Sequence, residues 1–469
     1  MRTLWQARFG VAADELAQRF TSSLHLDVAL AEYDIRYSQA HIKALERAGV
    51  LSAEECATLH DALEQVRVEL AAGEVELDPA LEDIHTVIEN RVTAIAGATG
   101  AKLHTGRSRN DQCVTVMRMF LLDAVDHAVT AIRRLQKALL DQAAQHTGTV
   151  VPAYSHMRRA QPIRLAHHLL AYFWMLHRDR GRLESARRRI ALSPAGVGAC
   201  SGTGIALDRR FLAAELGFAG ITANSLDTVS DRDFILEFLA TATICGVHLS
   251  RIAADLCLWS GPEYGFATLD MAYCTGSSMM PQKVNPDTME LVRAKSATLN
   301  AELATLTGLM HGLPLGYQRD LQDDKRPLFN GAAVLIDTLE ITAAVVASTT
   351  FHAEKMAAAA ADPGLLAADW AEELVAKGVP FRDAYGVIGQ LMKQSTENGV
   401  DPRAMAEADL AALHPTLPAA LAAVPDAAAA IERKTTPGSP ARGRLSEQIA
   451  AAEALLAAAE ALLVVMERP

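Results

Sequence analysis

Gly276-Ser277-Ser278-Met279-Met280-Pro281-Gln282-Lys283-Val284-Asn285-Pro286 is the most informative stretch of this 469-residue chain. It sets a hydroxyl, a compact cation and an amide on one short segment. Gly276 and the two prolines argue against regular structure within it. Asn285 and Pro286 read as an N-cap and the first helical position, where a missing N–H costs nothing. Asp287 suits the positive end of the helix that follows. The segment is thus a loop feeding a helix start, where anions bind readily. For a lone Ser and Lys an ordinary surface turn is the better explanation. The full string and its companions elsewhere in the chain tip the reading toward a site.

Outward from that loop, the pattern is helical. Leu121, Val125, Ala128, Ile132, Leu135 and Leu139 recur at steps of three and four, as do Met289, Val292, Ser296, Leu299, Leu303, Leu306 and Met310. Ile449, Ala452, Leu456, Ala459, Leu463 and Met466 repeat the spacing. Each run places one apolar stripe on a long helix, as bundles require. The glutamate and lysine flanks of a coiled coil are weak. Strands are few: Thr149 to Val151 and Gly73 to Leu77 are the candidates. The Gly-rich stretch from Ala195 to Gly204 has no β-branched run before it. It therefore reads as a loop over a substrate rather than a dinucleotide turn. Breaks near 101–107 and at Asp362-Pro363-Gly364 divide the chain into an N-terminal helical domain (1–106), a central helix bundle (107–361) and a C-terminal helical domain (362–469).

Half the residues are hydrophobic but only 5% aromatic, which favours helix. A net charge of −12 argues against a nucleic-acid or membrane-surface protein, whose binding needs a basic face, but not against an anionic substrate held by local Arg/Lys clusters. The six cysteines form no C-x-x-C pair and no H-E-x-x-H occurs, so no metal site is expected. The N-terminal residues lack an apolar signal core, and the run from Leu239 to Leu249 is too short to span a bilayer. These features point to a reduced, cytoplasmic setting.

Three further clusters carry chemistry. His104-Thr105-Gly106-Arg107-Ser108-Arg109-Asn110-Asp111-Gln112 packs guanidinium groups and neutral donors around one glycine, a set suited to bidentate carboxylate capture. Tyr154-Ser155-His156, with Arg159-Ala160-Gln161-Pro162, offers an imidazole that exchanges protons near neutrality. Tyr317 to Lys325 is the third. Taken singly, each is equally a charged turn.

Together these strings are similar to those of the fumarase/aspartase superfamily. The signature loop identifies the superfamily, and Leu103 to Gln112 resembles its argininosuccinate lyase branch. The likeness runs nearly end to end, through Ser23 to Asp27, Glu82 to His85, Asn224 to Phe234 and Lys377 to Arg382. It implies a mostly α protein, with a long-helix bundle core and smaller helical domains at either end. It also implies a homotetramer whose active sites are shared between subunits, a small-molecule substrate, and no cofactor. The implied reaction is anti elimination of argininosuccinate to arginine and fumarate.

By the same resemblance Ser277 is the base, propped by Lys283, with His156 near the leaving nitrogen and Glu290 orienting it. Ser23, Asp83, Ser108, Arg109, Asn110, Ser155, Gln161, Asn285, Tyr317, Gln322 and Lys325 line the substrate, and Arg232 accompanies them. Trp5 to Phe9, Ser155, Arg158, Val284, Gln318 and Tyr385-Gly386 depart from the branch's usual pattern. The alternative is therefore a sister carbon–nitrogen lyase that frees fumarate from another N-succinyl compound.

Overall fold

The structure is a computed structural model, and it describes residues 14–466, the side chains of 79 and 459–466 excepted. The departures at Trp5 to Phe9, and the Ala459, Leu463 and Met466 end of the last stripe, lie outside those described side chains.

Helix dominates. An N-terminal group comprises α1 (Ala31–Arg47), α2 (Ala53–Ala71) and α3 (Ile84–Ala96). Two long helices with a hairpin between them follow: α4 (Arg109–Gln145), β1 (Val150–Ser155), β2 (Arg158–Arg164) and α5 (Leu165–Ile190). Next come α6 (Asp233–Ser260), a two-residue ladder of β3 (Thr275–Gly276) with β4 (Val284–Asn285), α7 (Asp287–Met310) and α8 (Lys325–Ser348). The C-terminal helices include α9 (Ala367–Ala376) and α10 (Phe381–Asn398).

The chain divides into two compact units. The first gathers residues 1–130, 179–246 and 295–337; the second gathers 131–178, 247–294 and 338–469. In the first, the amphipathic faces of α1, α2 and α3 bury Ile35, Ile42, Leu59, Leu63, Ile88 and Val92 in a core of their own. A capping box starts α2: Ser52 accepts the Glu55 N–H, and Glu55 accepts the Ser52 N–H. In the second, Trp370, Leu374, Leu391, Leu417 and Leu421 form a separate core. There the indole N–H of Trp370 donates to the Val424 carbonyl at 3.0 Å.

The α4 stripe is buried at all six of its positions. The α7 stripe is buried at Met289, Val292, Leu299 and Leu306 and only partly at Ser296, Leu303 and Met310. Leu239 to Leu249 belongs to a 28-residue helix, longer than the bare apolar run implies. That helix and residues 319–348 meet a membrane-span test by length and composition. About half of each window is buried against protein (50% and 56%), as in core helices.

Three local expectations change. Gly73 to Leu77 forms no strand; Gly73, with positive φ, instead closes the C-terminus of α2. The strand at Val150 runs on through Pro152 to Ser155, with its register shifted between Pro152 and Tyr154. Pro tolerates such a bulged edge because no ladder N–H is needed there. Finally, α7 starts one residue later than the Asn-Pro pair suggests. Asn285 pairs with Thr275 in the ladder, and the Pro286 carbonyl accepts the first helical N–H groups, from Met289 and Glu290.

Gly100 begins the turn that leads into residues 103–112. A Cβ there would meet the Thr93 Cα at 2.5 Å and the Val92 carbonyl at 2.9 Å, both rigid backbone of α3. Gly100→Ala should therefore cost roughly 1–3 kcal/mol, read as a lowered urea midpoint at unchanged slope.

Candidate active site

Sixteen side chains are candidates; nine lie in the first unit and seven in the second.

In the first unit the organising groups are buried ion pairs. Ser23 and Asp27 sit one helical turn apart, and the Ser23 hydroxyl donates to Asp27. The other Asp27 oxygen holds the Lys325 ammonium at 3.0 Å, with both groups almost fully buried. Burial works against the charge on Lys325. The Cys113 sulfur, Asp27 and Asp324 outweigh it and hold the pKa above the ordinary lysine value. Arg232, 1% exposed, is turned inward onto Asp324 and the Asp231 carbonyl. It thus acts on its surroundings through the neighbour of Lys325.

Arg109 is matched as closely. Its Nε meets Asp83 at 3.0 Å, and its Nη atoms reach Glu89 at 3.2 Å and the Thr86 hydroxyl at 3.1 Å. Asp83 is also the N-cap of α3, accepting the Thr86 N–H at 2.7 Å. Glu89 further collects His104 at 2.9 Å and Arg107 at 3.0 Å. Burial pushes its carboxyl up, and these cations prevail, leaving it well below the usual range. Beneath them lies a fully buried pair, His85 and Asp34, at 3.0 Å; Gln112 donates to the same Asp34 oxygen at 2.5 Å.

The backbone carries strain at this point. Glu82, beside Asp83, has φ +73, and its carbonyl accepts the Ser23 N–H at 2.9 Å. Its carboxylate holds Arg319, whose guanidinium also reaches the Thr21 carbonyl. Gln322 donates to that carbonyl too, at 3.0 Å. A cleft of about 440 Å³ opens here, lined in part by Ser23, His25, Gln322 and Arg326. Burial, with the Cys113 sulfur, raises the Tyr317 phenol to about 12, so it is a neutral donor at pH 7. The loop string is closed locally: the Ser108 Oγ accepts the Asn110 N–H at 3.2 Å, and Asn110 Nδ2 donates to the Ala199 carbonyl at 3.1 Å.

In the second unit five of the candidates are exposed, and Ser277 and Asn285 are half-buried. Between β1 and β2 the chain reverses through His156 (φ +53) and Met157 (φ +59). A two-residue turn of this hand normally uses Asn-Gly. Two bulky residues in left-handed backbone mark strain held at a site. Ser155 lies on the adjoining strand end, opposite Arg158, and Gln161 lies further along β2.

In the signature hairpin the Ser277 Oγ accepts two backbone N–H groups, from Met280 at 3.0 Å and Met279 at 3.3 Å. Donors already aimed at that oxygen stabilise its anion more than its neutral form. Asn285 Nδ2 reaches the Gly276 carbonyl at 3.5 Å, and the Thr288 hydroxyl ties the loop base to the Tyr273 carbonyl at 2.8 Å. Glu290 faces Arg293, one turn along α7, at 3.7 Å. Among the described residues, no hydrogen bond or ion pair joins His156 to Ser277, Lys283 or Glu290, and Lys283 has no carboxylate partner.

Asp27, Glu89, Thr86, Asp324 and the His85–Asp34 pair escape the sequence reading. Only spacing hints at them: Ser23 to Asp27 is one turn, and Asp83, Thr86 and Glu89 share a face of α3.

The chain as a whole is similar to a known family of proteins. A family model described as "Lyase" covers residues 7–299, and one described as "Argininosuccinate lyase C-terminal" covers 364–432. Argininosuccinate lyase of Symbiobacterium thermophilum is 46% identical over 85% of this chain and 87% of its own. That of Herpetosiphon aurantiacus is 44% identical over 97% and 100%. The chain belongs to the argininosuccinate lyase family. Among solved structures, EDDS lyase in complex with formate superposes with a TM-score of 0.84 at 28% identity, covering 97% of this chain and 92% of that one. Class II fumarase from Schistosoma mansoni, at 16% identity and a TM-score of 0.70 over 83% and 88%, shares the fold.

The His85–Asp34 pair lies among the first-unit candidates, and its stability has a definite pH signature. Burial opposes the charge on His85, but Asp34 and Cys113 raise its pKa well above 6.5. Its contribution is complete below 6.5 and is lost as pH rises through the folded value. Burial likewise opposes Asp34, yet His85, Arg107 and Gln112 keep its pKa below 3.8, so its contribution is lost only in stronger acid. Asp34→Asn, which strands a buried imidazolium, should cost about 3–5 kcal/mol. Paired urea titrations should find the gap full between pH 3.8 and 6.5 and narrower in alkali.

Proposed function

We propose that this chain cleaves argininosuccinate to arginine and fumarate by anti elimination. The observation that carries the reading is the Ser277 hydroxyl, already accepting two amide protons on an exposed loop, in a chain 42–46% identical to argininosuccinate lyases. The Ser277 oxygen takes the proton from the succinyl carbon adjacent to the one bearing nitrogen. The electron pair forms the new double bond, and the C–N bond breaks toward the guanidine. A serine is a poor base unless its anion is stabilised, and the Met279 and Met280 amides supply that. The Lys283 ammonium and the Asn285 amide hold the carboxylate whose charge grows before the C–N bond breaks. His156 serves the leaving nitrogen, with Glu290 orienting it.

In the same reading Ser108, Arg109, Asn110, Tyr317, Gln322 and Lys325 bind substrate, with Ser23, Asp83 and Arg232 behind them; Ser155 and Gln161 line the hairpin side. EDDS lyase, at 28% identity, keeps open the alternative of a different succinyl amine. The higher identity to argininosuccinate lyases favours the first.

The three-domain division is part of this proposal, as is a homotetramer with shared sites. The separate cores around Leu63 and Trp370 support the first. For the second, α7 leaves an exposed stripe of small residues, Ala294, Ala297, Ala301, Ala304 and Gly308, with Leu291 59% exposed beside it. Small residues at steps of three and four admit a second helix closely. A cytoplasmic location fits the charge of −12 and the six unpaired cysteines.

Appearance of fumarate absorbance on adding argininosuccinate tests the activity; release from other succinyl amines only would give the alternative its case. Ser277→Ala should lower turnover by at least ~10²-fold at unchanged melting temperature. Ala297→Glu should shift the light-scattering mass from four chains toward fewer; an unchanged tetramer removes α7 from the interface.

A further inference from the structure

Asp111 is fully buried at the start of α4, among the candidate substrate groups, and neither the comparisons nor the mechanism above gives it a role. One of its oxygens accepts the Ser108 N–H at 2.9 Å. The other accepts two N–H groups from the Gly-rich turn, Gly198 at 2.9 Å and Gly196 at 3.2 Å. The turn can offer both amides because Gly196 and Gly198 have φ of +82 and +63. At Gly198 a Cβ would strike the Gly202 carbonyl at 2.6 Å. The same turn receives the Asn110 amide at the Ala199 carbonyl. Its far side is tied down by Arg209 to the Ala195 carbonyl at 3.0 Å, and by the Ser225 hydroxyl to the Cys200 carbonyl at 2.7 Å.

We propose that Asp111 is a positioning residue: by accepting from Ser108 with one oxygen and from Gly196 and Gly198 with the other, it sets where Asn110 and residues 196–202 meet the substrate. This rests on the reading that Ser108 to Asn110 bind substrate.

The arrangement is sensitive to a single proton. Three donors use both oxygens, and a protonated carboxyl has one acceptor fewer. The charged and titratable groups facing Asp111 are Arg107 in the same loop, Tyr37 on α1 and Arg209. Burial raises the Asp111 carboxyl, while the three amides and Arg107 pull it back, to about 6. A pKa raised in the fold means that the folded protein takes up the proton as pH falls through that value. One arm of the latch then lets go, while the fold itself gains stability.

KM for argininosuccinate in the wild type should therefore rise as pH falls below about 6. Asp111→Asn keeps the shape but carries one acceptor oxygen at every pH. Its KM should be roughly tenfold above wild type near pH 8, with kcat changed less than about threefold. The ratio of the two KM values should shrink toward one near pH 5. Every other titrating group is common to both proteins, so the ratio isolates Asp111. Gly198→Ala, which displaces the turn but leaves the carboxylate, should raise KM and retain the acid limb. A wild-type KM flat below pH 6, an Asn variant with wild-type KM, or a ratio constant with pH overturns the proposal; so does a folded Gly198→Ala with wild-type KM. Should the wild type release fumarate only from another succinyl amine, the substrate reading fails, and the same ratios taken with that substrate still decide on Asp111.

Discussion

A buried cation remains charged only where a carboxylate is buried with it, and much of the first unit is arranged around that constraint. Taking an ammonium out of water costs several kcal/mol even after relaxation. Lys325 is kept charged by Asp27, and Arg109 by Asp83 and Glu89. Each carboxylate needs its own donors. Ser23 serves Asp27, while Asp83 takes the Thr86 amide in the first turn of α3. Glu89 is shared among Arg107, Arg109 and the His104 imidazole. The strained backbone at Glu82 follows from the same demand, since it brings the Ser23 amide to its carbonyl while Asp83 caps the helix. The outcome is a set of cations whose positions are fixed before any ligand arrives, so less ordering is left to binding.

The second unit presents its groups differently. The β1–β2 turn and the β3–β4 hairpin are short and largely exposed. Their internal geometry is nevertheless specific. The left-handed pair His156-Met157 sets the direction of the imidazole, and the Ser277 turn aims two amides at one oxygen. Exposure and preorganisation coexist because the ordering is local, within four or five residues.

What could be read from sequence divides along the same physical line. The six-position stripe of α4 was legible because burial at periodic positions is a local property of one helix. The signature loop was legible as a loop feeding a helix. Its ladder was not, because Thr275 and Asn285 pair across nine residues that carry turn signals rather than strand signals. Gly73 to Leu77 alternates like a strand yet has no partner strand, and a lone alternation cannot satisfy its backbone. The Gly-rich turn read correctly as a loop, but its anchor did not show. Gly198 and Asp111 are 87 residues apart, and no pattern in either segment names the other. The carboxylates that neutralise Arg109 and Lys325 escaped for the same reason: the sequence exposes cations suited to anions, and only the fold shows which of them are already engaged.

That last distinction bears on where the reaction's charge is met. Lys325 and Arg109 are each paired with internal carboxylates, so in the proposed function their net field on a substrate is small and their part is to orient it. Lys283 has no carboxylate partner among the described residues. An unpaired unit charge about 4 Å away is worth roughly 4 kcal/mol at the effective dielectric of a protein surface, and about 1 kcal/mol in bulk water. Charge that develops only in the transition state is therefore best met by the cation that has nothing else to neutralise. On the proposed reading, the rate-enhancing electrostatics belong to the signature hairpin and the recognition electrostatics to the cations of the first unit. An unpaired ammonium is most stable in water, and in the proposed function its full effect is realised once water is excluded around a bound dianion.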